Sequence, residues 1–229
     1  MQNFKKYIMN FDKIIELSHV LTPGKEEFVL EIEIKNTEEV HKATVRRDDI
    51  WYIIEDVKMS SHVGTHIEFP YHHMKDGKDA ASYPIQRMVG DAVLYDFTHK
   101  KKDEVISKEE IINSGVEVKK GDIVVIYTGM QELWNTPQGH DRPCLSVEAT
   151  EYLVKDIGIH CIATDATGLE IRGTDHQPVH EMLFAHDVAM VESMRNLDKL
   201  SGKRFTIFIL PIMVKGMDSC PVRIVALEK

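Results

Sequence analysis

Short runs of alternating or continuous apolar residues predict strands along most of this chain. "EFVLEIEIKN" alternates over Val29 to Ile34, as a half-buried strand does. "KIIELSHVLTPG" predicts a strand that runs into a turn at Pro23 and Gly24. "HKATVRRDD" and "WYIIEDVKMSS" read as further strands, so the first third is mostly β. "GDAVLYDFT" is the next strand. "ISKEEIINSG" then carries a helix start, with Ser107 and Glu110 at capping-box spacing, Ile106 placed to staple onto Ile111, and Gly115 at the stop. "GDIVVIYTG" is a nearly continuous apolar run, the pattern of a strand buried on both faces. After the loop "MQELWNTPQGHDRPCL", "SVEATEYLVKDIG" predicts a helix capped by Ser146 and stopped by Gly158, with Ala149, Tyr152, Leu153 and Ile157 on one face. "IHCIATD" follows as a strand, which completes a βαβ unit and implies a parallel pair. Asp165 falls at the carboxyl end of that strand, where open α/β sheets place ligands. "PVHEMLFAHD" predicts a short helix with Pro178 in its first turn, and "VAMVESM" and "RFTIFILPI" close as strands. The class is α/β, with a β-rich N-terminal part and a central βαβ unit. No Pro/Gly/Ser-rich stretch divides residues 1–229, so a single domain is expected.

Composition narrows the function. Hydrophobic residues at 43% and charged residues at 28% are an ordinary globular mixture. A net charge of −9 argues against nucleic acid, which needs a basic footprint, and leaves a small-molecule substrate open. Cys144, Cys161 and Cys220 form no CxxC pair, which fits reduced thiols and a cytoplasmic setting rather than a disulfide framework. The start "MQNFKKYIMNFDKIIELSH" has no signal-peptide pattern, and no window reaches the ~18 apolar residues of a membrane helix, so no membrane is expected as partner.

Candidate chemistry concentrates in "HVGTHIEFPYHH", residues 62–73. Gly64, the β-branched Ile67 and Pro70 argue against a helix. As an extended segment, His62, His66, Glu68 and His72 share one side and the mostly apolar Val63, Thr65, Ile67, Phe69 and Tyr71 the other. Fully extended, His62 and His66 would stand roughly 13 Å apart at the backbone, whereas a metal needs ligand atoms within ~2 Å of itself. The chain must therefore bend, and Gly64 is the residue that permits it. Imidazoles with one carboxylate leave coordination positions open, as catalytic sites do. The bland alternative is a histidine-rich strand edge in a chain with 12 histidines, and His73 and Tyr71 read as packing residues.

A second cluster, "DHQPVHEMLFAHDVAMVESM", offers Asp175, His176, His180, His186 and Glu192, and spacing does not choose among them. His180 opens the short helix. Glu192, among Met190, Val191 and Met194, is costly to bury without a cation or a Lys/Arg partner. His176 and His186 read as surface residues, and Met182, Leu183, Met190 and Met194 as core. There is no G-x-S-x-G elbow, P-loop or G-x-G-x-x-G. Cys220 in "GMDSCPVR" is a candidate free thiol, and Trp51 and Trp134 are candidate pocket or packing residues.

On these residues the chain resembles the cyclase family of metal-dependent hydrolases, which includes bacterial kynurenine formamidase and isatin hydrolase. Residues 62–72 are similar to the family motif H-x-G-T-H-x-D-x-P-x-H with one change, Glu68 in place of aspartate. "IIELSHVLTPG", "GDIVVIYTG", "LSVEATEYLVKDIGIHCIATDA", "HEMLFAHDVAMVESMRNLDKL" and "LPIMVKGMDSCPVR" extend the likeness over nearly the whole chain. The resemblance implies a swivelling β/β/α fold assembled as a homodimer or homotetramer. It implies that His62 and His66 bind a first divalent metal, zinc or manganese, with Glu68 in the bridging place. It gives His180 and Glu192 a second metal, and His72 proton transfer. Glutamate lengthens the carboxylate arm by one methylene, which bears on whether one or two metals bind. The family's Trp-Pro-Gly-Asp-like segment is represented by "TPGKEEFVLE", without the tryptophan, which counts against kynurenine formamidase itself.

The function expected from this resemblance is hydrolysis of a C–N bond in a small amide, formamide or lactam by an activated water, with His72 as proton shuttle. The alternatives are an ester or lactone hydrolase on the same site, and a metal-binding relative without activity.

Overall fold

The structure, a computed structural model, describes residues 11–42, 50–173 and 176–228. Asp175 and most of the strand read in residues 41–49 lie outside them. Among the described residues the chain forms β1 (Lys13–Glu16), β2 (Leu30–Asn36), α1 (Thr37–Val40), β3 (Ile53–Met59), β4 (His66–Glu68), β5 (Val89–Asp96) and β6 (Val105–Ile106). Next come α2 (Lys108–Asn113), β7 (Ile123–Tyr127), β8 (Cys144–Leu145), α3 (Val147–Glu151) and β9 (Cys161–Thr164). The chain then forms α4 (Pro178–Ala185), β10 (Ala189–Glu192), β11 (Arg204–Leu210), β12 (Ser219–Pro221) and β13 (Arg223–Glu228).

Nine strands make one mixed sheet in the order β1-β13-β11-β5-β7-β9-β10-β4-β12. The neighbours β5, β7, β9 and β10 pair in parallel, and the flanking strands pair antiparallel. β12 lies at one end of this order and β13 next to the other, yet only Val222 separates them, so the sheet must curl until its ends meet. Val222 donates its amide to Thr65 beside β4, while Ile224 accepts from Leu17 beyond β1, which marks the seam.

Both faces of the central strands are buried, which explains their continuous apolar runs. Ile123 and Val125 of β7, Cys161 and Ala163 of β9, and Ala189 and Val191 of β10 fill the inside of the curl. Val124, Ile126, Ile162 and Met190 point outward and are covered by Ile111 of α2, Ala149 of α3, and Leu183 and Phe184 of α4. The capping box at Ser107 and Glu110 is formed, and the Ser146 hydroxyl accepts the Ala149 amide.

Several expectations are corrected. β4 spans only three residues, because Gly64 (φ +67°) turns the chain before it and Pro70–His72 forms a 3-10 turn after it. A side chain at Gly64 would also collide with Leu21, its Cβ 2.2 Å from Leu21 Cδ2. α3 continues as a π-helical turn over Tyr152–Ile157, and the wider turn buries Leu153 and Val154 while Tyr152 and Ile157 stay partly exposed. β2 is not half-buried in the way its alternation suggests. It pairs with β3 in a separate two-stranded ribbon, where Ile32, Ile34 and Val57 stay exposed. Asp165 is 2% exposed and accepts from the Thr128 amide and hydroxyl and the Gln131 amide, so it ties the turn after β7 rather than facing a ligand. Cys220 is fully buried and its thiol pKa is pushed up by burial, so it is not an accessible thiol. No helix among the described residues is long and apolar enough to cross a membrane.

Candidate metal centre

Strand register builds the centre. On β4, Ile67 points into the curl, so His66 and Glu68 face outward. On β10, Val191 points in, so Glu192 faces outward. Antiparallel pairing sets Glu192 directly opposite His66, and Glu68 opposite Met190. α4 lies over this face and lowers His180 onto it, with Phe184 beneath the rings of His180, His72 and His73. The Gly64 turn and the Pro70 turn fold His62 and His72 back toward Glu68, their ring centroids 4.7 Å apart.

Glu68 is the hub. Its Oε1 lies 3.0 Å from His62 Nδ1, 3.5 Å from His66 Nε2 and 4.0 Å from His72 Nε2, and its Oε2 lies 3.5 Å from His180 Nε2. Glu192 Oε2 lies 3.6 Å from His66 Nε2 and its Oε1 lies 3.8 Å from His180 Nε2. Two groups, His62–Glu68–His72 and His66–Glu68–Glu192, each bring three donor atoms within 4.8 Å of one another and share Glu68. The structure thus brings together His62, His66, Glu68, His72, His180 and Glu192. His176 and His186 lie apart on the surface.

Histidine orientation is set from behind. His66 Nδ1 donates to the Gly64 carbonyl at 2.8 Å, and His180 Nδ1 donates to Glu170 Oε2 at 3.0 Å. Each contact turns Nε2 toward the carboxylates, the arrangement that supports metal-ligating histidines. Glu170, 5% exposed, also accepts the Val179 and His180 amides at the start of α4. Sequence reasoning missed Glu170, although a carboxylate between Leu169 and Ile171 carries the same signal as Glu192. It also missed Asp218, which accepts from His62 Nε2 and His72 Nδ1 at 3.0 and 2.9 Å and lies in "GMDSCPVR", where the cysteine was the candidate reactive group. A basic residue lies near Glu192 as well: Arg142 interacts with it electrostatically, while its guanidinium donates to the Glu170 carbonyl at 2.7 Å.

The donor set fits a divalent cation. His66, Glu68 and His180 are 4–5% exposed, and His66 Nε2 and Glu68 Oε2 are buried without a hydrogen-bond partner, an expensive arrangement unless a cation meets them. Burial alone would raise the Glu68 carboxyl and depress the imidazoles. Instead, the neighbouring imidazoles of His180, His62 and His66 hold Glu68 well below the usual carboxylate range. Burial of His180 is outweighed by Glu170, Glu192 and Glu68, which carry its pKa up to about 11, and burial of His62 by Glu68 and Asp218, which carry it up to about 9. Without a cation, the carboxylates therefore favour protonated imidazoles, and a cation bound here would have to displace those protons.

A cavity of about 240 Å³ opens over His62, His66, Glu68 and Glu192. Phe28 and Trp134 form apolar walls, and Glu26, Asn135 and His140 stand at the rim, joined by Asn135–Glu26 and His140–Glu27 hydrogen bonds of 2.9 and 3.0 Å. Trp134 is braced by the His19 ring at 4.0 Å, whereas Trp51 is 80% exposed and lines nothing here.

Comparison with known proteins agrees with this architecture. Kynurenine formamidase of Bacillus mycoides (strain KBAB4) is 28% identical over 174 residues, 73% of this chain and 76% of its own length. Isatin hydrolase A from Labrenzia aggregata superposes with a TM-score of 0.76 at 18% identity, over 94% of this chain and 93% of that one. A predicted metal-dependent hydrolase from Bacillus stearothermophilus superposes with a TM-score of 0.74 at 23% identity, over 95% and 98%. The family model described as putative cyclase matches residues 15–171, and the chain belongs to this cyclase family.

Proposed function

We propose that the chain is a metal-dependent hydrolase that cleaves the C–N bond of a small amide, formamide or lactam. The observation that carries this reading is the Glu68 carboxylate, buried and common to both groups of donor atoms. His62, His66, Glu68, His180 and Glu192 are the residues that would hold cation, and the mixed imidazole and carboxylate set suits zinc, with manganese as the alternative. A divalent cation bound there supplies the charge that polarises a substrate carbonyl and makes water acidic near neutral pH. His72 takes the proton from the attacking water as its oxygen bonds to the carbonyl carbon. It then delivers that proton to the nitrogen as the C–N bond breaks. Imidazole suits both transfers because its ordinary pKa lies near working pH. Phe28 and Trp134 would bind the apolar part of the substrate, and a 240 Å³ cavity suits a small one. The kynurenine formamidases among the relatives support an amide rather than an ester.

The test joins metal content to turnover. Elemental analysis of protein purified without chelator should find about two divalent ions per chain if Glu68 bridges. Hydrolysis of N-formylaniline should vanish with chelator and return with zinc or manganese. Turnover of phenyl formate without any N-formylaniline turnover would move the reading to ester hydrolysis. A chain that neither retains nor regains metal would overturn it.

We further propose that the chain works as a homodimer or homotetramer. The β2–β3 ribbon exposes Ile32, Ile34 and Val57 at 42%, 60% and 54%. A lone two-stranded ribbon is marginal in water, and a contiguous apolar face marks an interaction surface. Light scattering at micromolar concentration should report a dimer or larger, and Ile34→Glu should shift it toward monomer. A monomeric wild type would rule this out.

A further inference from the structure

Asp218 reaches the centre from the far end of the chain. It immediately precedes β12, and pairing of β12 with β4 sets Ser219 opposite Glu68. The Phe69 amide donates to the Asp218 carbonyl at 2.9 Å. Ser61 Oγ donates to Asp218 Oδ1 at 3.0 Å, and the Ser61 carbonyl in turn accepts from Ser219 Oγ at 3.0 Å. Backbone and side chain are thus anchored on separate partners, which leaves Oδ2 aimed at two rings at once. His62 Nε2 lies 3.0 Å from it and His72 Nδ1 lies 2.9 Å from it.

An ionised carboxylate has no hydrogen to give, so both of those nitrogens must carry one. In a singly protonated imidazole the lone pair then falls on the other nitrogen. His62 would then present Nδ1 to a cation, the nitrogen that without one shares its proton with Glu68 Oε1 at 3.0 Å. His72 presents Nε2, which is 4.0 Å from the same oxygen. One carboxylate oxygen selects opposite tautomers on two histidines whose rings meet at 4.7 Å. Asp218 stands behind both rings as the Gly64 carbonyl stands behind His66 and Glu170 behind His180.

We propose that Asp218 is a positioning residue that fixes the tautomer and ring orientation of His62 and His72 together, so that His62 offers Nδ1 to cation while His72 offers Nε2 to the reacting water. The consequence for turnover rests on the hydrolase reading, whereas the tautomers do not. Asp218 does not line the cavity, so its loss acts on kcat and metal affinity rather than on substrate binding.

The test is nitrogen NMR on zinc-loaded protein with 15N-labelled histidine, in which two-bond proton–nitrogen correlations identify the protonated ring nitrogen. The wild type should show His62 protonated on Nε2 and His72 on Nδ1, which needs no substitution and no substrate. Asp218→Ala should mix the His72 tautomers and lower kcat and zinc affinity about 10- to 100-fold, with KM nearly unchanged. Asp218→Asn can keep an oxygen on both rings while its amide faces Ser61, and should restore the tautomer pattern and most of kcat. His72 protonated on Nε2 in the wild type overturns the proposal, as does an Asp218→Ala variant with wild-type tautomers and kcat. The expected spectra in a protein that cleaves no amide would uphold Asp218 and refute the hydrolase reading.

Discussion

Replacing Glu68 by alanine should lower amide turnover by at least about 10³-fold, equivalent to roughly 4 kcal/mol of transition-state stabilisation. The size of the effect follows from the hub. Glu68 alone touches both donor groups, so its removal withdraws an oxygen from each. Metal content should fall with activity, and added zinc should not restore turnover. Glu68→Asp is the informative companion, because it restores the family's residue but shortens the arm by one methylene. With β4 and β10 holding His66 opposite Glu192, the aspartate oxygen withdraws from His180 and His62 unless the backbone shifts. Glu68→Asp should therefore retain metal less well than the wild type here. Elemental analysis and kcat/KM measured on all three proteins decide it, and an alanine variant with full metal and full rate would show that Glu68 is not the bridge.

Phe184→Ala should cost about 3–5 kcal/mol of stability, because a large ring 1% exposed leaves a cavity between α4 and the sheet. For a chain of this size that is roughly a 10 °C drop in Tm. The same ring lies edge-on beneath His72, His73 and His180 at 6.3, 5.3 and 5.8 Å, so its loss also loosens two of the residues proposed to act. Metal affinity and kcat should fall together, and Phe184→Leu, which fills most of the volume, should recover the larger part of both. Thermal melts with metal titrations on the two variants test this. An alanine variant that melts with the wild type would mean that the helix can close over the gap.

The legible parts of the molecule are those whose signal is local. The capping box at Ser107 and Glu110, the Ser146 cap, the Gly158 stop and the buried run of β7 each depend on residues within a few positions, and each is formed. The Gly64 bend was legible because an extended chain separates His62 from His66 by far more than a shared site allows, and Gly64 adopts φ +67°. The strand pattern misled beyond that bend. Period 2 holds for His66 and Glu68 only, and His72 returns to Glu68 on a 3-10 turn. Asp165 misled in another way, because the end of a parallel strand is a ligand position only where the sheet is open, and here the turn after β7 occupies it.

The sequence by itself determined the residue types of the centre, the bend that lets them converge, and a family motif of which only the Glu68 position departs. Which oxygens stand behind which imidazoles was decided by the tertiary structure alone. Asp218 meets His62, 156 positions earlier in the chain, only because β12 pairs with β4, and Glu170 meets His180 because the chain after β9 folds under α4. Sheet register and helix docking are set by burial of whole faces, summed over many weak contacts, and no short window of residues carries that sum.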